Sequence, residues 1–572
     1  MNAVAQEKPP VLNSAQKRAV TFGAALPDKK GFTSGPLLII AGAGTGKTHT
    51  LAQRVAHLVL NGVDPARILL LTFTRRAAQE MRRRARDVLR GSTNDVLGGP
   101  AQKLSQRLTW AGTFHSIGNR LLRHYAKHIN LDPNYSVLDR SDAADLLDTV
   151  REEIGLADQK QRFPRKDTCL AIYSYRINTQ YSLADTLARQ FPWCAEWESE
   201  LTKLFRAYVA RKQQLALLDY DDLLLYWHLM MQEARIAQHI GRNFDHVLVD
   251  EYQDTNALQA QILYALKPDG RGVTVVGDDA QAIYSFRAGL VDNILGFPDK
   301  FTPRAEVIPL SQNYRSTQEL LNAANALMAE APRQFRKHLI SGRGDGGKAR
   351  YVTTDDLVAQ AEFICAEVLR RREAQSTLRS QAVLFRHQDH SDLLEIELMR
   401  RKIPFVKYGG LKFLEAAHVK DLLSILRWID NPRNQIAAFR ALQLLPGFGP
   451  GNARKALDLF AGADYQFASL KAFQPPNESR IVWPKFVEML TTLAQPRYPW
   501  AGQVHTVREW YKPHFERLYE HHHTRISDLE QLELLSAHYT SREQFLTELT
   551  LDPPQATSDL AGQALQDEDY LV

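Results

Sequence analysis

The chain has 572 residues, 44% hydrophobic and 24% charged, with a net charge of +6. That is an ordinary globular composition long enough for several domains, and its charge permits a polyanionic partner without requiring one. Three scattered cysteines (Cys169, Cys194, Cys365) exclude a CxxC site and a disulfide framework, and no apolar run reaches the ~18 residues of a membrane span. The N-terminal MNAVAQEKPP has no apolar signal segment, so the expected compartment is the cytoplasm.

In chain order, the apolar run Leu37–Ile40 enters Ala41–Thr48 (AGAGTGKT), and a helix with Leu51, Val55, Leu58 and Val59 on one face follows. Ile68–Thr72 is a second buried-strand run, and from Arg67 to Arg90 eight arginines face only Glu80 and Asp87. Residues 116–204 turn helix-rich, and Tyr208–Asp222 leads back to the strands Val247–Val249 and Val273–Val276. Buried strands alternating with helices imply a parallel sheet covered on both faces, with a helical domain inserted into it. A second α/β region starts near Val307, with strands expected at Arg350–Thr353, Gln381–Phe385 and Ile403–Tyr408 and a Gly-rich loop at Ser341–Lys348. From Gly409 to Leu551 the pattern is helical again, broken at Pro446–Gly451 and Pro475–Pro476. The run His521–His523 is no ligand set, because consecutive residues do not share a helix face.

The strand–loop–helix at residues 37–60 is the context a phosphate loop requires. Gly42, Gly44 and Gly46, with Ala41, Ala43 and Thr45 between them, let the backbone wrap closely and turn its N–H groups toward phosphate oxygens. Lys47 would reach the β- and γ-phosphates, and the Thr48 hydroxyl would hold Mg²⁺. Downstream, Asp245–Val249 ends in Asp250 and Glu251 at the carboxyl edge of the sheet. Asp250 would hold the same Mg²⁺, and Glu251 is the candidate base for the attacking water. The pair describes a hydrolytic NTPase.

Taken with the motifs around them, these residues resemble the superfamily 1 helicases of the UvrD/Rep type. Leu12–Gln16 is similar to that family's adenine-reading Q motif, with Gln16 on the base edge. Leu71–Met81 (LTFTRRAAQEM) and Thr113–Ser116 (TFHS) resemble motifs Ia and Ib, which line the single-stranded DNA track in the family; they supply Thr72, Phe73, Thr74, Arg75, Thr113, Phe114 and His115. Gly277–Arg287 (GDDAQAIYSFR) resembles motif III. It implies Gln281 as sensor of the γ-phosphate or attacking water, and Tyr284, Phe286 and Arg287 as DNA contacts. Leu310–Ser316 (LSQNYRS) resembles motif IV, with Tyr314 stacking on adenine and Arg315 as an arginine finger. Tyr408–Phe413, Val419–Leu423, Leu445–Gly449, Arg525–Leu529 and Phe545–Pro554 look like the family's 2B domain, so the likeness covers about residues 12–562.

The resemblance implies an α/β fold of two RecA-like P-loop domains, the second incomplete, each with a mainly helical insertion. The expected divisions are 1–115 and 205–306 for domain 1A, 116–204 for 1B, 307–408 for the first part of 2A, 409–565 for 2B and 566–572 for the return to 2A. It implies an ATP- and Mg²⁺-dependent DNA helicase that hydrolyses ATP between the two RecA-like domains and moves 3′→5′. Single-stranded and duplex DNA would be its partners, with a repair or recombination protein as a further one. The family's motif V pattern, Thr-x-His-x-x-Lys-Gly-x-Glu, and its motif VI do not occur in the 572 residues, which stop at Tyr570-Leu571-Val572 where the strand into motif V is expected. Arg315 would then act without a second finger, and residues 307–408 are expected to be poorly soluble or partly disordered. Two other readings stay open at this stage: a truncated or degenerate ATP- and DNA-binding protein that does not unwind, and the helicase subunit of a helicase–nuclease.

Overall fold

The computed structural model describes residues 11–27, 30–92, 102, 106–156, 163–285, 288–407, 413–520, 522–551 and 569–572. The chain divides into two compact units, Met1–Ala349 and Arg350–Val572.

The first unit is built on a six-stranded parallel sheet. Its strands are β1 (Leu37–Ala41), β2 (Ile68–Thr72), β3 (Ala111–Thr113), β4 (His246–Val249), β5 (Val273–Gly277) and β6 (Glu306–Leu310), in the order β6-β1-β5-β4-β2-β3. The continuous apolar runs of the sequence are these strands: β1, β2, β4 and β5 are buried along their whole length, as a sheet covered on both faces requires. Because every pairing is parallel, all carboxyl ends open on one edge. The order then sorts the chemistry. Neighbours β1, β5 and β4 deliver the phosphate loop, Asp278 and Asp250 side by side, while β2 and β3 deliver Phe73 and Thr113 further along.

Helices α1 (Ser14–Thr21), α2 (Lys47–Leu60) and α3 (Arg75–Ser92) pack on the sheet through Ala19, Leu51, Val55, Met81 and Leu89. Asn13 and Gln16 form a reciprocal capping box at the start of α1. The helical insertion consists of α4 (Phe114–Tyr125), α5 (Arg140–Glu153), α6 (Lys166–Thr179), α7 (Leu183–Gln190), α8 (Glu198–Gln214) and α9 (Tyr220–Met230). Its base is closed by Ser136–Val137 pairing with Leu217–Leu218. Helix α10 (Ala257–Leu266) follows β4.

Glu306–Leu310 is the edge strand of the first sheet, with Ile308 opposite Ile39 and both Ile308 and Leu310 fully buried. Beyond it, β7 (Gln312–Asn313), α11 (Gln318–Ala329) and β8 (Ile340–Ser341) form an arm that also belongs to the first unit.

In the second unit the strands expected at Arg350–Thr353, Gln381–Phe385 and Ile403–Tyr408 do not form as strands among the described residues. Residues 381–383 and 404–406 flank Leu571–Val572: Val383 N–H donates to Val572 O (2.8 Å), Leu571 N–H to Pro404 O (2.8 Å) and Val406 N–H to Leu571 O (2.9 Å). These bonds make a single parallel bridge, Phe405 to Leu571. Beside it, α12 (Leu357–Glu373) and α13 (Asp392–Arg400) close a small core. The rest of the unit, Ala417–Leu551, is helical around Trp428, Phe486 and Tyr511.

Candidate nucleotide site and nucleic-acid interface

The loop after β1 has the shape its glycines permit. Gly44 and Gly46 have φ of +83° and +86°, and a Cβ at Gly44 would fall 2.6 Å from the Arg315 Cβ. The Thr45 hydroxyl donates to Gly42 O (2.8 Å) and closes the turn, while Ala41 ends the strand. Helix α2 starts at Lys47 with no side-chain cap, so the N–H groups of its first turn, where Thr48 lies, stay open to an anion.

A closed circuit of hydrogen bonds faces that helix start. Lys47 Nζ donates to Glu251 Oε2 (2.5 Å) and to Gln281 Oε1 (3.3 Å). Gln281 Nε2 donates to Asp278 Oδ2 (2.6 Å), and Asp278 N–H to Gln253 Oε1 (3.0 Å). Gln253 Nε2 returns to Glu251 Oε2 (2.8 Å). Lys47, Gln253 and Asp278 are all buried. Glu251 holds its place in the left-handed region (φ +50°, ψ +47°), a conformation that costs a non-glycine residue about 1–3 kcal/mol.

Asp250 lies beside this circuit, 5% exposed, with Glu251 N–H donating to its Oδ1 (3.0 Å). Burial, and then the Glu251 charge, push its carboxyl up to about 7, against a smaller pull from Lys47. A buried carboxylate of this kind, with a threonine hydroxyl from the phosphate loop, is a set of hard oxygen donors that suits a small dication.

The arm after β6 packs on the same loop. Asn313 Nδ2 donates to Ala43 O (2.6 Å), and Tyr314 N–H donates to Gly44 O (2.9 Å). Asn313 Oδ1 accepts from the N–H groups of Arg315 and Ser316 (both 2.8 Å). The half-exposed Tyr314 accepts from Asn13 Nδ2 at its hydroxyl (3.0 Å). Gln16 Nε2 donates to Thr45 O (3.0 Å) and its Oε1 accepts from Asn13 N–H (3.0 Å), which leaves the amide one donor and one acceptor for a ligand.

A second cavity, of about 530 Å³, opens between the sheet edge and the helical insertion. Phe73 and Tyr284 stack in its wall with ring centroids 5.3 Å apart, and His115, Tyr175, Phe191 and Asp221 join them. Burial pushes the His115 imidazole down to about 4. Thr72 and Thr74 shape the turn before α3, the Thr72 hydroxyl donating to Thr74 O (2.7 Å).

The UvrD/REP helicase N-terminal domain matches residues 26–302, and the UvrD-like helicase C-terminal domain matches residues 308–492. DNA helicase II of Escherichia coli (strain K12) is 31% identical over 553 residues, covering 93% of this chain and 74% of that protein. The chain belongs to the UvrD/Rep helicase family. DNA helicase II of Salmonella typhimurium is 30% identical over the same coverage. The ATP-dependent DNA helicase PcrA of Staphylococcus aureus (strain Mu50) is 32% identical over 426 residues, 74% of this chain and 56% of that protein.

For this UvrD/Rep helicase, Lys47, Glu251 and Gln281 meet in one circuit, with Asp250 beside it. Gln16, Tyr314 and the backbone of Arg315 converge on the loop, and the Arg315 side chain is exposed. Of the expected DNA contacts, the structure brings Phe73, His115 and Tyr284 to one cavity. Phe114 turns the other way, buried against Trp227, and Thr113 is spent as the N-cap of α4, accepting from Ser116 N–H (3.2 Å). Phe286, Arg287 and the Arg75 side chain lie outside the described residues. The sequence motifs gave no role to Gln253, Asp278 and Asn313, although Gln253 stands two residues after Glu251 and the other two lie inside GDDAQAIYSFR and LSQNYRS. Their signal was a buried-type polar residue in a motif with no role left for it. No helix among the described residues is long and apolar enough to cross a membrane.

Proposed function

We propose that the chain is an ATP-driven motor that steps along one DNA strand and parts the duplex, with 3′→5′ polarity taken from the family resemblance. The observation that carries the reading is the closed circuit joining Lys47, Glu251 and Gln281. The Lys47 ammonium pairs with the Glu251 carboxylate. Phosphates arriving at the first turn of α2 give Lys47 a second anion, and the Glu251 carboxylate is then able to orient and deprotonate water. Gln281 faces the same point, and Arg315 supplies positive charge from the arm. Thr48 and Asp250 would hold Mg²⁺, which when bound draws charge from the phosphate oxygens. Gln16 offers its remaining donor and acceptor to the adenine edge, and the Tyr314 ring stacks on it. In the second cavity, Phe73 and Tyr284 give bases a stacking platform.

The intact circuit argues against a degenerate binder, which has no need of an aligned base and sensor. The test is ATP hydrolysis with and without single-stranded DNA, beside Lys47→Ala, followed by unwinding of duplexes with a 3′ or a 5′ tail. Turnover stimulated by DNA, abolished by Lys47→Ala, and unwinding of the 3′-tailed duplex are expected. Nucleotide and DNA binding with no turnover would replace the motor with a binding protein.

A further inference from the structure

Behind the circuit lies a second, buried set of charges. Lys337, on the irregular stretch between α11 and β8, has a side chain only 5% exposed; its ammonium bonds the Asp278 carboxylate and Asp279 Oδ1 (2.5 Å). Two residues earlier, Phe335 N–H donates to Asp279 Oδ2 (2.9 Å). Asp278 and Asp279 are adjacent and both buried. Two such carboxylates repel each other and lose hydration on burial, and the buried Lys337 ammonium that bonds both offsets these costs.

Asp278 passes that charge on as geometry. Its Oδ2 binds Gln281 Nε2, and its Oδ1 accepts from Ala280 N–H (3.1 Å) as well as from Lys337. An amide whose nitrogen is fixed on a carboxylate has its oxygen fixed on the opposite side, and the Gln281 oxygen faces Lys47. Lys337 also belongs to the arm that carries Arg315: β8 pairs with β7, and Leu339 lies over Gly42. Three residues past Gln281, Tyr284 stacks on Phe73 in the second cavity.

We propose that Lys337 is a positioning residue for ATP hydrolysis, a latch that holds Gln281 toward the γ-phosphate and ties it to the arm bearing Arg315. The inference rests on the motor reading above. A latch of this kind acts on turnover in the presence of DNA and leaves ground-state nucleotide binding alone, because Lys337 touches neither the phosphate loop nor the base-binding residues.

The experiment compares the full 572-residue chain with Lys337→Met and Lys337→Arg. It measures kcat and KM for ATP at saturating single-stranded DNA, the Kd of a fluorescent ATP analogue, and the melting temperature. For Lys337→Met, kcat is expected to fall about 10²-fold, the scale of a misplaced catalytic group, with KM and Kd within about threefold. Lys337→Arg, which keeps the charge, is expected to recover most of kcat, and Lys337→Gln, read by a kcat loss without a KM change, serves if the Met variant does not fold. Unchanged kcat in Lys337→Met, or losses of melting temperature and nucleotide affinity with kcat per folded molecule intact, would overturn the latch while leaving the motor. Absence of turnover in the unmodified chain would overturn both.

Discussion

Gln253 owes its position to the residue facing it. A Cβ on Gly277 would stand 2.6 Å from Gln253 Oε1 and 2.7 Å from Ile294 Cδ1, so Gly277→Ala must push the amide off Asp278 N–H. The expected result is a drop in ATP turnover of about tenfold or more, with a stability loss of about 1–3 kcal/mol, read by steady-state kinetics and urea unfolding. His246, 1% exposed, makes a different kind of prediction. Its Nε2–H donates to Phe32 O (2.9 Å), and burial pushes the imidazole down to about 4 from its usual 6.5. As pH falls through 6.5 the unfolded chain takes the proton first. Stability from this group is therefore complete above that pH, declines down to about 4, and changes no further below it. Between about pH 7 and about pH 5.5 the loss is about 1 kcal/mol. His246→Gln keeps a donor for Phe32 and should flatten the pH slope of urea unfolding by that amount. An unchanged slope would show that the imidazole is not held neutral.

At the scale of elements, Arg54 joins the two helices that frame the nucleotide site. Fully buried on α2, it donates to the carbonyls of Ala19, Val20 and Phe22 at the end of α1 (3.0, 3.2 and 3.1 Å), and to the hydroxyls of Ser34 (3.2 Å) and Thr274 (2.9 Å). Burial lowers its guanidinium to about 9. Arg54→Met leaves three carbonyls without this donor, so a cost of about 3 kcal/mol or more is expected. The α1 cap that presents Gln16 should loosen with it, lowering affinity for a fluorescent ATP analogue. The spacing of α2 sets Arg54 on the same apolar face as Leu51, Val55 and Leu58, but it does not say which partners satisfy a buried guanidinium, and only the fold brings three helix-end carbonyls to it. The strands of the first sheet were legible for the opposite reason. A continuous run such as Leu37–Ala41 has no solvent face to offer and can only be central. Gln381–Phe385 and Ile403–Tyr408 carry the same type of residue, but among the described residues they bond to Leu571 and Val572 in a single bridge and form no strand. The catalytic types in the site were readable from motif order. The circuit was not, since the partner an amide chooses depends on a fold that brings residues 47, 251, 253, 278 and 281 together.

Across the whole molecule, cohesion is uneven within the second unit. Its small core holds Ala361, Cys365, Val368, Leu378, Leu394, Leu398, Ile403 and Leu571, whereas the helical core from Val419 to Leu549 is several times larger. Leu384 (93% exposed), Met399 and Ile396 stand in solvent nearby. Hydrogen exchange is expected to be fastest, among the unit's regular elements, in residues 357–400. Leu571→Ala should cost that region about 2–4 kcal/mol of local protection and leave 417–549 unmoved. Equal protection throughout the unit would show one cooperative core instead.

The backbone of Glu251 has a bearing on how variants of this protein will sort themselves. At φ +50° a glycine or an asparagine is at ease and a glutamate is not. A library selected only for heat resistance should therefore enrich replacements at this position, and the survivors would be immobile on DNA. Glu251→Gly would relax the backbone while removing the carboxylate proposed above to activate water, trading motion for durability. Such a protein would be a convenient tool: one that grips ATP and a DNA strand together and stays put.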